Sequence, residues 1–183
     1  MAMPLPLPTY TTDDVRSWPY DGQRYELLDG MLLVTPPPSG EHQIVLAQLL
    51  IKIGTYLGTA ESARIVGPGA IENAPRTLLE PDLLVFPASY PRSTAWADIC
   101  AWWLAVEVFS PGSRRYDRDY KRDAYLALGV REVWLVDPDE QCVLVSREGA
   151  PRDVRHSKRL VWHPAEMPEP LVIELGEIFR GVP

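Results

Sequence analysis

The order of apolar and polar positions predicts a protein built from many short strands and two main helices. RYELL and MLLVT flank Asp29-Gly30, the dipeptide that most readily takes the positive φ angles of a two-residue turn, so an N-terminal β-hairpin is expected. Before it, Thr11-Thr12-Asp13-Asp14 offers capping hydroxyls and first-turn acids for a short helix that runs to about Trp18 and stops at Pro19. Across residues 41–57, Ile44, Val45, Leu49, Ile53 and Leu57 recur at helical spacing, with Ser39 as a cap and Glu41 in the first turn. ARIVG and GAIE, separated by Gly67-Pro68-Gly69, predict a second hairpin or a bent strand. PDLLVF predicts a strand entered near Asp82, because Pro81 removes one amide from the ladder.

Residues 104–138 carry the clearest unit. LAVEVF and REVWLVDP are short apolar runs suited to buried strands, and the stretch between them has helical period, which predicts strand, helix, strand. On that helix Asp117, Lys121, Ala124 and Leu128 share one stripe, while Arg115, Arg118 and Arg122 lie on the other side. QCVLVS then pairs with REVWLVDP, and the tail reads as an irregular closing segment with a short last helix.

At 183 residues with 46% hydrophobic composition, the chain has enough apolar material for one buried core. The expected organisation is an extended arm over residues 1–10 and a single domain over 11–183. MAMPLPLPTY alternates proline with apolar residues and lacks the pattern of a signal peptide, and no apolar run reaches the ~18 residues of a membrane span. Cys100 and Cys142 have neither disulfide-framework nor zinc spacing, which fits a reducing cytoplasm. A net charge of −7 argues against non-specific coating of nucleic acid, which rests on Lys and Arg neutralising phosphates.

Charged residues inside the apolar runs change the picture further. Glu107 lies between Val106 and Val108 in a strand fit for burial, and a carboxylate there needs a cation or several donors. Asp82 stands at the head of another apolar strand, and Asp117 and Lys121 share the helix stripe that faces the sheet. Two carboxylates and a lysine are the parts of a metal-assisted phosphodiesterase site. They are also the parts of an ordinary ion-pair cluster, and Asp82 alone reads equally as a turn-capping aspartate after proline. His42, a lone histidine in a first helical turn, reads as a structural hydrogen-bonder rather than a ligand.

Pro81-Asp82, Glu107 and a following lysine resemble the PD-(D/E)xK nuclease superfamily. YELLDG, PDLLVF, EVFSPGS, Lys121, GVREVWLVDP and LGEIF together resemble the Uma-type family of candidate bacterial restriction endonucleases along most of the chain. The resemblance implies an α/β, restriction-endonuclease-like fold: a central mixed β-sheet flanked by helices, with an N-terminal β-hairpin. It implies Asp82 and Glu107 as ligands of Mg²⁺ or Mn²⁺, with the Val108 carbonyl as a third, and Glu26 as an auxiliary acid that faces the metal or else solvent. One departure is plain. The superfamily pattern puts lysine two residues after Glu107, and this chain has Phe109, so Lys121 from the next helix is the implied substitute.

The expected chemistry is cleavage of DNA by water, with Asp82, Glu107 and Lys121 catalytic and Lys121 orienting the attacking water. Asp117 would hold Lys121 through an i, i+4 pair. Arg115, Arg118 and Arg122 offer a phosphate-binding face or a solvated helix surface. Two further readings stand beside this one: a non-catalytic nuclease-fold module binding nucleic acid or protein, and a hydrolase of another phosphate ester. A homodimer is the expectation if both strands are cut.

Overall fold

The N-terminal turn is set by local chemistry. In the computed structural model, which describes residues 8–35, 37–58 and 62–182, helix α1 (Thr12–Ser17) is closed by a capping box between Thr11 and Asp14. Strands β1 (Arg24–Leu28) and β2 (Met31–Thr35) then form the expected hairpin, with φ of 52° at Asp29 and 82° at Gly30. Most of the predicted N-terminal arm, residues 1–7, lies outside the described residues.

Helix α2 (Gly40–Gly58) begins at Ser39, whose Oγ accepts the His42 N–H at 3.2 Å. It buries Val45, Leu49, Ile53 and Leu57, while Ile44 is 40% exposed and lies off the inward stripe. Next, β3 (Ala63–Val66) does not pair with β4 (Ile71–Asn73), contrary to the hairpin expectation. Gly67-Pro68-Gly69 instead carries the chain from one sheet to another, and β4 makes its hairpin with β5 (Thr77–Leu79). β6 (Leu83–Pro87) follows Asp82 directly, and a 3₁₀ turn at Trp96–Asp98 leads to β7 (Trp102–Val108), which is buried throughout.

Helical residues α3 (Arg114–Tyr116), a π-turn (Asp117–Lys121) and α4 (Arg122–Ala127) connect β7 to β8 (Val130–Asp137), and these two strands are parallel. The π-turn is the departure from a 3.6-residue helix. Its wider turn lets Asp117, Lys121 and Tyr125 share the buried face, whereas Ala124 and Leu128, expected there, are only partly buried. β9 (Cys142–Arg147) returns antiparallel to β8, as expected, and β10 (Val154–His156) adds an edge. The tail is more regular than its prolines imply: β11 (Arg159–Trp162) pairs with β12 (Leu171–Glu174), followed by α5 (Leu175–Ile178).

The main sheet has the order β10-β9-β8-β7-β6-β3, and a smaller one has the order β2-β1-β5-β4. On one face of the main sheet, Val45, Leu49, Ile53 and Leu57 of α2 pack with Val106, Trp134, Trp162 and Ile178. On the other, Tyr125 and Leu126 of α4 join Ile71 and Leu79 of the small sheet over Ala105, Val133 and Leu135. Each fully buried Leu, Ile or Val contributes about 1.5–3 kcal/mol, so both faces are firmly covered. The small sheet and the π-turn therefore meet over one end of β7, and Glu107 lies there.

Candidate active site

Lys121 sits at the centre of an acidic cluster. Its Nζ is 2.7 Å from Glu26 Oε2, 3.0 Å from Glu107 Oε1 and 3.6 Å from Asp117 Oδ1, and all four side chains are at least 98% buried. The parts come from three elements: Glu26 from β1, Glu107 from β7, and Asp117 and Lys121 from the π-turn. Glu26 is further held by the Glu80 N–H at 2.7 Å on Oε1 and by the Thr35 hydroxyl at 3.2 Å on Oε2. Tyr125 donates its hydroxyl to Glu107 Oε1. Both hydrogen bonds at the Glu107 carboxylate thus fall on Oε1, which leaves Oε2 without a partner among the described residues.

Asp82 forms the second half of the site. Its Oδ2 accepts the Val108 N–H at 2.9 Å and contacts His42 Nε2 at 3.0 Å, and its Oδ1 is 3.3 Å from Arg24 Nη1. Arg24 also reaches Glu26, with Nη2 3.8 Å from Oε2, and so links the two acidic groups. A cleft of about 340 Å³ opens above them, lined by Asp82, Glu107, Val108, His42 and Arg24.

The electrostatics divide the acids. Burial works to raise the Asp82 pKa, but the hydrogen bond and charge of His42, the Val108 N–H and Arg24 outweigh it and hold the carboxyl below its ordinary value. Glu107 is pushed well up by burial and by the nearby Asp117, Asp82 and Glu26 carboxylates, against the pull of Lys121. Asp117 is likewise raised, first by burial. Burial disfavours the Lys121 ammonium, yet Glu107, Glu26 and Asp117 more than offset it and keep the lysine charged.

The structure brings Asp82, Glu107, Lys121, Glu26, Asp117 and Val108 to one place, though not to one surface. Asp82, Glu107 and Val108 line the cleft. Lys121 is 1% exposed and packs behind Glu107, so it faces carboxylates rather than the space where a water would attack. Glu26 is 0% exposed and points inward, not to solvent. The arginine row stands apart. Arg118 and Arg122 both pair with Asp153, Arg115 pairs with Asp119, and Arg114 is bound by Asp137 and Asp139. None of Arg115, Arg118 and Arg122 lines the cleft.

Three residues of the site were not legible as such. His42 falls on the same inward stripe as Val45, Leu49 and Ile53, a signal that helical spacing offers. Arg24 shares a strand face with Glu26 through the two-residue period of β1. Tyr125 follows Lys121 at i, i+4 spacing, a signal that helical period likewise offers.

Among the described residues, no three His, Cys, Asp or Glu side chains form a metal-ligand group. The donor set still fits a hard divalent ion. Asp82 and Glu107 line one cleft, Glu107 Oε2 accepts no hydrogen bond among the described residues, and Mg²⁺ commonly takes one or two protein carboxylates and keeps its waters.

Comparison with known proteins agrees with this architecture. A crystal structure described as a "putative nuclease belonging to DUF820 from Anabaena variabilis ATCC 29413" superposes with a TM-score of 0.80 at 24% identity, over 92% of this chain and 97% of that one. No curated protein matches the chain. The family model Uma2, described as "Putative restriction endonuclease", matches residues 12–175, and the chain belongs to that family.

Proposed function

We propose that the protein is a divalent-metal-dependent DNA endonuclease that hydrolyses phosphodiester bonds in the Asp82/Glu107 cleft. The observation that carries this reading is that these two carboxylates, from different strands, line one cleft with Glu107 Oε2 free to accept a ligand. Asp82 and Glu107 would hold Mg²⁺ or Mn²⁺, with the Val108 carbonyl as a further ligand. When bound there, the ion lowers the pKa of water and neutralises charge on the phosphoryl oxygens.

The chain's own residues do the rest. Lys121 draws Glu107 Oε1 inward, and Tyr125 fixes the same oxygen, so Oε2 is presented to the cleft. Lys121 is in this view a positioning residue, and Asp117 and Glu26 keep its ammonium in place. His42 and the Val108 N–H orient Asp82. Arg24, at the cleft wall, offers a planar guanidinium to a phosphate oxygen.

The test is nicking of supercoiled plasmid with Mn²⁺ by wild type, Glu107→Ala, Glu107→Gln and Lys121→Ala, alongside calorimetric Mn²⁺ binding. Loss of nicking in the variants and loss of Mn²⁺ binding in Glu107→Ala are expected. Equal residual nicking in every protein would trace the activity to a contaminant and sink the reading. A non-catalytic nuclease-fold module is the second reading, and Phe109 favours it. The ring occupies the superfamily's lysine position, is 4% exposed, and lies under Arg114 at 5.0 Å. Wild type that binds no divalent ion would support that module.

A further inference from the structure

The cleft is not isolated. A second cavity of about 570 Å³ adjoins it, and Gly22 and Arg24 line both. That volume is within the ~300–1,000 Å³ typical of sites that hold small ligands. Tyr20 stands at its rim with 94% of its surface exposed, and Trp96 forms another part of its wall. Glu80 contributes a half-buried carboxyl at which no hydrogen bond or ion pair is made among the described residues. The Glu80 peptide N–H is the group that holds Glu26 Oε1, so the cavity and the Lys121 cluster share a strand end.

We propose that this larger cavity is a base-binding subsite, taking an unpaired nucleobase of a single DNA strand whose adjoining phosphodiester passes Arg24 into the Asp82/Glu107 cleft. The proposal rests on the nuclease reading of that cleft. Three observations support it. Aromatic rings beside an arginine are what strand binding without base pairing uses, because every base has a face to stack. The carboxylates are recessed, at 6% exposure for Asp82 and 1% for Glu107, so a phosphodiester has to enter the cleft to meet them, which a narrow extended strand does with less steric hindrance than a duplex. Arg24 lines both cavities while it pairs with Asp82 and Glu26, whereas Arg114, Arg115, Arg118 and Arg122 line neither and pair with Asp119, Asp137, Asp139 and Asp153.

Fluorescence anisotropy tests this with a labelled single-stranded 12-mer, its duplex, and a single strand of abasic nucleotides, all in EDTA at low salt. Wild type is expected to bind the intact single strand about tenfold or more tighter than the duplex or the abasic strand, and Tyr20→Ala to weaken single-strand binding about five- to hundredfold. Tyr20 is too exposed for its loss to unfold the chain, and the abasic strand repeats the test without a mutation. Duplex bound as tightly as single strand, or an unchanged affinity in Tyr20→Ala, overturns the subsite. Cleavage with Mn²⁺ separates the two ideas. Single-strand preference without cleavage supports the subsite and sinks the nuclease reading, whereas cleavage of single strand and duplex alike, with equal affinities, sinks only the subsite.

Discussion

Lys121 Nζ lies 2.7 Å from Glu26 Oε2, and both side chains are at least 99% buried. This pair joins the N-terminal hairpin to the helix that follows β7. Removing the ammonium would leave Glu26, Glu107 and Asp117 without their shared cation, a loss of about 3–5 kcal/mol when one partner of a buried pair is deleted. Lys121→Met should therefore lower the urea midpoint strongly. Unfolding curves that overlay those of wild type would show the cluster to be energetically idle.

Glu107 should make stability fall with rising pH. Its folded pKa is raised well above the ordinary value of 4.5, so between the unfolded and folded values the native state binds more protons than the unfolded state. Wild type then loses stability as pH climbs through that window, and Glu107→Gln, which cannot titrate, does not. Denaturation of both proteins at pH 5 and pH 8 checks this: the difference between them should shift toward the variant at the higher pH. A difference that is constant with pH would count against the raised pKa.

His42→Ala should act on Asp82. The imidazole Nε2 at 3.0 Å is one of the groups that hold the Asp82 pKa down, so its loss costs about 1–3 kcal/mol in stability and moves that pKa up. Stability from a depressed carboxyl is present above its unfolded pKa and lost as pH falls through the folded one. The variant should thus lose stability at a higher pH on acidification than wild type. Acid unfolding followed by tryptophan fluorescence reads this shift, and coincident curves would rule it out.

Gly67 is where backbone touches backbone beside the site. A Cβ there would stand 2.7 Å from the Asp82 carbonyl oxygen and 2.7 Å from Leu83 Cδ2. Gly67→Ala should cost about 1–3 kcal/mol by overpacking and shift Asp82 within the cleft. Both the thermal midpoint and Mn²⁺ affinity by calorimetry should drop. Retained affinity in a folded Gly67→Ala protein would mean that Asp82 tolerates the displacement or does not bind the ion.

Local physics made much of this protein legible in one dimension. The Asp29-Gly30 turn, the α2 stripe, the strand after Pro81 and the strand, helix, strand order from β7 to β8 each depend on neighbours in sequence, and a carboxylate between Val106 and Val108 announces itself as needing a partner. Which partner it takes is a question of distance through space. The π-turn, decided by packing against β7 and the small sheet, sends Lys121 and Tyr125 to the same oxygen and withdraws the lysine from the cleft. Arg24 and His42 reach Asp82 only because two sheets and a helix end converge there, and Arg118 and Arg122 lose their apparent freedom to Asp153 of a distant strand edge. Periodicity records which side of an element is buried; only tertiary contact determines what lies across from it.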